Sequence, residues 1–136
     1  MRRILLGLAL AGLTSLPGLA EEPRNAAIEG VIQDQITAFE TDDFAKAFSY
    51  ASPTIQGIFG TADNFGAMVR NGYPMVWRPG SVKFTELREV AGGLYQTVVI
   101  ADQAGAVHVL EYEMIPVDGG WVIGGVQLLR APDVGA

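Results

Sequence analysis

The chain has 136 residues, no cysteine, one histidine and a net charge of −6. No disulfide framework, thiol chemistry or four-ligand Cys/His zinc site is open to it, and an acidic surface repels nucleic-acid phosphates and anionic lipid headgroups. Its length suits one domain that buries a core without staples.

The N-terminus reads as an address. Arg2 and Arg3 precede an apolar run over Ile4–Leu13, which Thr14, Ser15 and Pro17 break. Gly18 and Ala20 then put small residues at the −3 and −1 positions of a cut after Ala20. That is the pattern of a secretory signal peptide. The run is shorter than the roughly 20 apolar residues that span a bilayer. The expectation is a cleaved leader over 1–20, a periplasmic or secreted product, one domain over 21–130 and a loose tail at 131–136. With no cysteine to carry a lipid, no stable membrane anchor is expected.

Ile28, Val31, Ile32, Ile36 and Phe39 recur at helical spacing and predict an amphipathic helix over 24–40. Thr41-Asp42-Asp43 supplies caps for a second short helix through Ala51. Ser52-Pro53 is an N-cap followed by a first helical residue, with a brief helix through Phe59. Thr61 caps a helix over 62–71, and Gly72 falls where a left-handed C-terminal residue is wanted. Tyr73–Pro79, with a proline near each end, predicts an extended arm.

From Ser81 the apolar period becomes two, and strands are expected over 81–90, 94–101, 106–116 and 121–129. The turns Ala91-Gly92-Gly93, Asp102–Gly105 and Asp118-Gly119-Gly120 are short enough for hairpins. The fold class is therefore α+β, with N-terminal helices packed on a curved, four-stranded antiparallel meander.

Alternation puts His108, Leu110, Tyr112 and Met114 on one face of the third strand. An Asp102–Gly105 type I turn with a glycine bulge sets Ile100 opposite His108, Val98 opposite Leu110 and Gln96 opposite Tyr112. A two-residue loop at Asp118-Gly119 sets Gln127 opposite Leu110 and Leu129 opposite His108. The helix-facing side then carries four polar groups, Gln96, His108, Tyr112 and Gln127, within an apolar wall. Such a wall describes both a small-molecule pocket and a hydrogen-bonded core, and the sequence leaves the two open.

The segment Arg70 to Arg78 adds a second candidate cluster. Arg70, Tyr73, Trp77 and Arg78, with Asn71, make either a rim recognising an anionic or aromatic ligand, or a connecting arm whose aromatics close the core. His108 is the one side chain with an unperturbed pKa near neutrality, yet it has no identifiable partner and no triad is visible. No nucleotide, serine-hydrolase or metalloprotease motif occurs, and neither cofactor nor metal is implied.

The stretches Ala51–Phe59, Phe65–Pro79 and Gln127–Pro132 resemble a family of small exported bacterial proteins, domain of unknown function 4864, over nearly the whole mature chain. That resemblance implies no activity. The order of elements is similar, more loosely, to the nuclear-transport-factor-2-like superfamily, in which helices close a curved sheet into a cone. Its members include isomerases, dehydratases, ligand-binding modules and dimeric adaptors. The ketosteroid-isomerase-like members need a carboxylate base in the cone. Here the last three strands offer Tyr112 and His108 but no carboxylate, and Glu86 and Arg88 would arrive only if the first strand's register cooperates.

The leading expectation is a non-enzymatic exported module that binds a small, partly apolar ligand. The alternatives are a lyase or isomerase with His108 as base and Tyr112 as donor, or a homodimer joined through Tyr95, Thr97, Val99, Val109 and Glu111 on the outer sheet face.

Overall fold

The computed structural model describes residues 24–130. The expected leader over 1–20 and tail over 131–136 lie outside those residues. Helix α1 (Ala26–Glu40) starts at Asn25, whose side chain accepts from the amides of Ala27 and Ile28 at 3.0 and 3.1 Å. These bonds satisfy two of the donors that a helix start leaves without partners. Its stripe of Ile28, Ile32, Ile36 and Phe39 is buried.

Each of the next three helices begins at a capping side chain. Asp43 caps α2 (Phe44–Ser49), Ser52 caps α3 (Pro53–Phe59) and Thr61 caps α4 (Ala62–Gly72), accepting from Lys46, Ile55 and Asn64 respectively. Helix α2 stops two residues before the expected Ala51. There the backbone leaves the helix to join the sheet edge: Ile123 N–H donates to the Tyr50 carbonyl, and Ser52 N–H to the Ile123 carbonyl.

Two expectations fail around the arm. Gly72 is not left-handed but is the last residue of α4, and the break falls at Tyr73 (φ −135°, ψ 56°). Pro74 forces this, because the residue before a proline is excluded from helical geometry. Nor is the arm extended: Pro74–Trp77 form a helical turn, α5, with Pro74 at its first position. A proline at that position costs nothing, since its missing N–H would have no partner there. Pro79 acts on Arg78, which ends the turn (φ −140°, ψ 75°).

Strands β1 (Pro79–Val90), β2 (Gly93–Asp102), β3 (Val107–Val117) and β4 (Gly120–Leu129) form one antiparallel open sheet in sequential order, so the fold is α+β as expected. The β2–β3 register matches expectation: Ile100 faces His108, Val98 faces Leu110 and Gln96 faces Tyr112. The β3–β4 register begins as expected, with Val117 opposite Gly120 and Met114 opposite Ile123. It then slips by one residue at Gly124, a bulge between the pairs Met114–Ile123 and Glu113–Gly125. Beyond the bulge Leu128, not Gln127, faces Leu110, and Leu129 faces Val109. Gln127 therefore pairs with Glu111 on the outer face, and Val126 takes the inward place opposite Tyr112.

The inner face (Val98, Ile100, Leu110, Tyr112, Met114, Ile123) and the α1 stripe form one buried cluster with Phe65, Val69 and Val76. Helix packing around it is tight at Gly66, where an added Cβ would lie 2.5–2.8 Å from the Phe44 ring. Gly57 in α3 has nothing within 4 Å of such a Cβ. Gly66→Ala is expected to destabilise by about 1–3 kcal/mol, and Gly57→Ala to stabilise by about 0.5–1 kcal/mol, through overpacking and helix propensity respectively. Denaturant unfolding of both variants checks the pair of opposite signs.

Candidate functional site

A cleft of about 240 Å³ opens between the helices and the inner sheet face. Helix α1 gives it Gln35 and Phe39, α3 gives Ile55 and Phe59, and α4 gives Phe65, Met68 and Val69. Tyr73 and Val76 come from the α4–α5 junction, and Tyr112, Ile123 and Val126 from the sheet. The Phe65 ring packs against Phe39 at 5.8 Å and edge-on against Phe59 at 5.8 Å. Among the described residues, no Asp, Glu, Lys, Arg or His belongs to this lining.

Its polar atoms are few. Gln35 Nε2 donates to the Ala47 carbonyl at 3.1 Å, and the Tyr73 hydroxyl to the Val126 carbonyl at 3.3 Å. The Tyr112 hydroxyl is buried with no partner. Burial first, and the neighbouring Tyr73 second, push its pKa well above the usual tyrosine range, so it stays protonated and able to donate.

The other expected residues go elsewhere. Gln96, across from Tyr112, is fully buried; its Nε2 donates to the carbonyls of Thr97 (3.0 Å) and Glu86 (3.4 Å), while Oε1 has no partner. His108 lies in a second, shallower depression of about 290 Å³ with Pro74, Trp77, Arg78 and Asp102. His108 and Tyr112 are four residues apart on β3, roughly 13 Å at about 3.3 Å per residue, so the structure does not bring them together. Gln127 is on the outer face, exposed. Glu86 is exposed in a bulged stretch of β1, and Arg88 pairs with Glu111 on the outer face, so neither supplies the inner face with a charge. Tyr95, Thr97, Val99, Val109 and Glu111 do share that outer face.

His108 has a partner after all: its Nε2, taken as the donor, lies 2.9 Å from Asp102 Oδ2. Asp102 Oδ1 also accepts from the amides of Ala104 and Ala106 at 3.0 and 2.9 Å. The bond from His108, then the amide of Ala106, hold the Asp102 carboxyl below the usual range.

The Arg70–Arg78 cluster is a clamp closing on α1. Asp42, in left-handed geometry at φ 56°, accepts from Trp77 Nε1 at 2.9 Å and from Arg78 at 3.2 Å. Arg78 also donates to the Phe39 carbonyl at 2.7 Å and lies 4.0 Å over the Trp77 ring. Arg70 stacks more loosely, 5.8 Å from Phe44 and 5.9 Å from Trp77. The Trp77 indole, followed by Arg78, holds the Asp42 carboxyl below its ordinary value. Of the rim expected here, Tyr73 alone reaches the cleft between the helices and the inner sheet face.

The family model for a domain of unknown function, DUF4864, matches residues 21–136. The chain belongs to that family. No curated protein and no solved structure matches it.

Two outcomes follow from this geometry. Tyr112→Phe removes a buried hydroxyl that has no partner, so it is expected to stabilise by about 1 kcal/mol and raise the melting temperature by a few degrees. Calorimetry checks this; a fall would mean the hydroxyl is satisfied. Separately, Asp42 and Asp102 have folded-state pKa values below the unfolded value of about 3.9. Their stabilisation is complete above that value and is lost as pH falls through the folded-state values. Denaturation midpoints are expected to drop below about pH 4, and to drop less steeply in Asp42→Asn and Asp102→Asn.

Proposed function

We propose that the protein is a non-enzymatic, exported binding module that holds a small, partly apolar molecule in the cleft between its helices and inner sheet face. The observation that carries this reading is the partnerless Tyr112 hydroxyl in the wall of a mostly apolar cleft. Concave, mostly apolar sites with few polar groups are where small ligands bind, and a buried hydroxyl without a partner is a cost that a bound molecule removes.

A lyase or isomerase using His108 as base and Tyr112 as donor is less well supported, because the two side chains line separate depressions. The Asp102–His108 pair sits on the rim of the sheet beside the clamp, and among the described residues no serine, threonine or cysteine lines the same depression for it to activate. The leader pattern over 1–20 supports export, and with it ligand capture outside the cytoplasm.

Native mass spectrometry of the protein recovered from the exported fraction tests the reading. Met68→Trp places an indole in the cleft while replacing a side chain that is only partly buried. The expected result is a small-molecule adduct on the wild type that Met68→Trp lacks. Adduct-free masses for both proteins, together with no response to added apolar fragments, would count against ligand binding. The same spectra report whether the species is a monomer or a dimer.

A further inference from the structure

The lining of the cleft contains one hydrogen-bond donor that serves nothing else in the protein. Tyr112 lines the cleft from the middle of β3 and is fully buried. Among the lining residues, its hydroxyl is the buried side-chain atom without a hydrogen-bond partner. The other two polar side chains of the lining already donate to the backbone: Gln35 Nε2 to the Ala47 carbonyl, and the Tyr73 hydroxyl to the Val126 carbonyl. The Tyr112 hydroxyl lies on the Tyr73 side of the cleft. Val126, whose carbonyl Tyr73 holds, is the cross-strand neighbour of Tyr112, and Tyr73 is the nearby group that, after burial, raises the Tyr112 pKa. Burial keeps the phenol protonated, so what it offers a bound molecule is a proton to share.

We infer that the molecule held in the cleft is an uncharged, ring-sized apolar compound that presents one acceptor oxygen, of the ketone, ester or ether kind, to the Tyr112 hydroxyl. This rests on the ligand-binding reading above and names its ligand class. An oxygen that only accepts satisfies the phenol and brings no donor that needs a partner of its own. Charge is disfavoured because, among the described residues, no ionised side chain lines the cleft, and an unpaired buried charge costs far more than a hydrogen bond returns. A ring suits the walls, which Phe39, Phe59, Phe65 and Tyr73 help to form. Size agrees as well: a cavity of about 150 Å³ holds a benzene, and the cleft, at about 240 Å³, has room for one substituted ring. The Tyr112 hydroxyl does not meet solvent. The neighbouring Tyr73 is tied to the β4 backbone by one long bond of 3.3 Å, and a shift of that ring lets the oxygen of the ligand reach the hydroxyl.

NMR titration of three probes into the wild type and Tyr112→Phe tests this: acetophenone, isopropylbenzene (a similar shape without oxygen) and benzoate (a similar ring with a charge). The hydrocarbon is more apolar than the ketone, so the decisive comparison is how each probe responds to the mutation. Tyr112→Phe is expected to weaken acetophenone about fivefold to tenfold and to leave isopropylbenzene within about twofold, which also shows that the variant cleft is intact. On the wild type, benzoate should bind at least about tenfold more weakly than acetophenone. Benzoate binding as tightly as acetophenone overturns the inference. So does acetophenone binding both proteins alike, or losing no more affinity than isopropylbenzene, and in each case the cleft remains a binding site. If no probe perturbs the cleft resonances of the folded protein, the binding reading itself fails, and this inference with it.

Discussion

An antiparallel meander with one face bare is unstable in water, and the need to cover that face shapes everything N-terminal to it. The inner side of β2–β4 presents Val98, Ile100, Leu110, Met114 and Ile123, all of them buried. Helix α1 answers with three isoleucines at four-residue spacing, each worth about 1.5–3 kcal/mol when fully buried. One helix is too narrow to cover four strands. The remainder falls to α2–α5, of 6, 7, 11 and 4 residues. Helices below about 12–15 residues are marginal in water by themselves, so these exist because each is capped at its start or packed over the sheet. The Asp42 clamp matters for the same reason. It fastens α5 to the end of α1 through Trp77 and Arg78, and so fixes where the helical cover meets the first strand.

Where a turn has a defined chemistry, the sequence was enough to read the register. Asp102 and Gly105 determine their turn: the Asp102 carboxylate takes two amides, and Gly105 adopts φ 91° at no steric cost. Three cross-strand pairs follow from it. The β3–β4 hairpin was legible only as far as Met114–Ile123, because the bulge at Gly124 carries no turn signature. A Gly-Gly pair inside an alternating strand is a bulge signal, and reading Gly124-Gly125 that way would have turned Gln127 outward and Val126 inward. The arm failed for a different reason. Prolines constrain the residue before them, not the residues after, so Pro74 and Pro79 bracket a helical turn rather than forbid it.

The site was only partly legible, and the reasons are geometric. Tyr112 and Tyr73 were named from sequence and do meet in the cleft, whereas most of the cleft's wall is phenylalanine and aliphatic side chains, which in sequence look the same as core. The partner of His108 is not legible along its own strand, because it lies on the neighbouring one. The register that puts Ile100 opposite His108 also puts Asp102 diagonal to it on the same face, within reach of a polar side chain. The Arg70–Arg78 cluster misled in the opposite direction. Two arginines and a tryptophan near an aromatic pocket suggest anion recognition, yet Asp42, itself read only as a helix cap, is the anion that Trp77 and Arg78 recognise.

The choice between a filled core and a binding site turns on the polar atoms more than on the volume. Packing defects of moderate size occur in cores lined by large rings, and Phe39, Phe59 and Phe65 leave gaps wherever their planes tilt. A core that is only a core has no reason to bury a phenol hydroxyl without joining it to anything. Phenylalanine at 112 would fill the same space with no unmet hydrogen bond, and burying an unpaired polar group costs about 1–3 kcal/mol. Tyr112 stands at the centre of the inner face, in the wall of a cleft whose lining is mostly apolar. A chain that keeps Tyr112 at that place, in a domain with stability of only about 5–15 kcal/mol to draw on, has a buried hydroxyl where a molecule in the cleft would give it a partner.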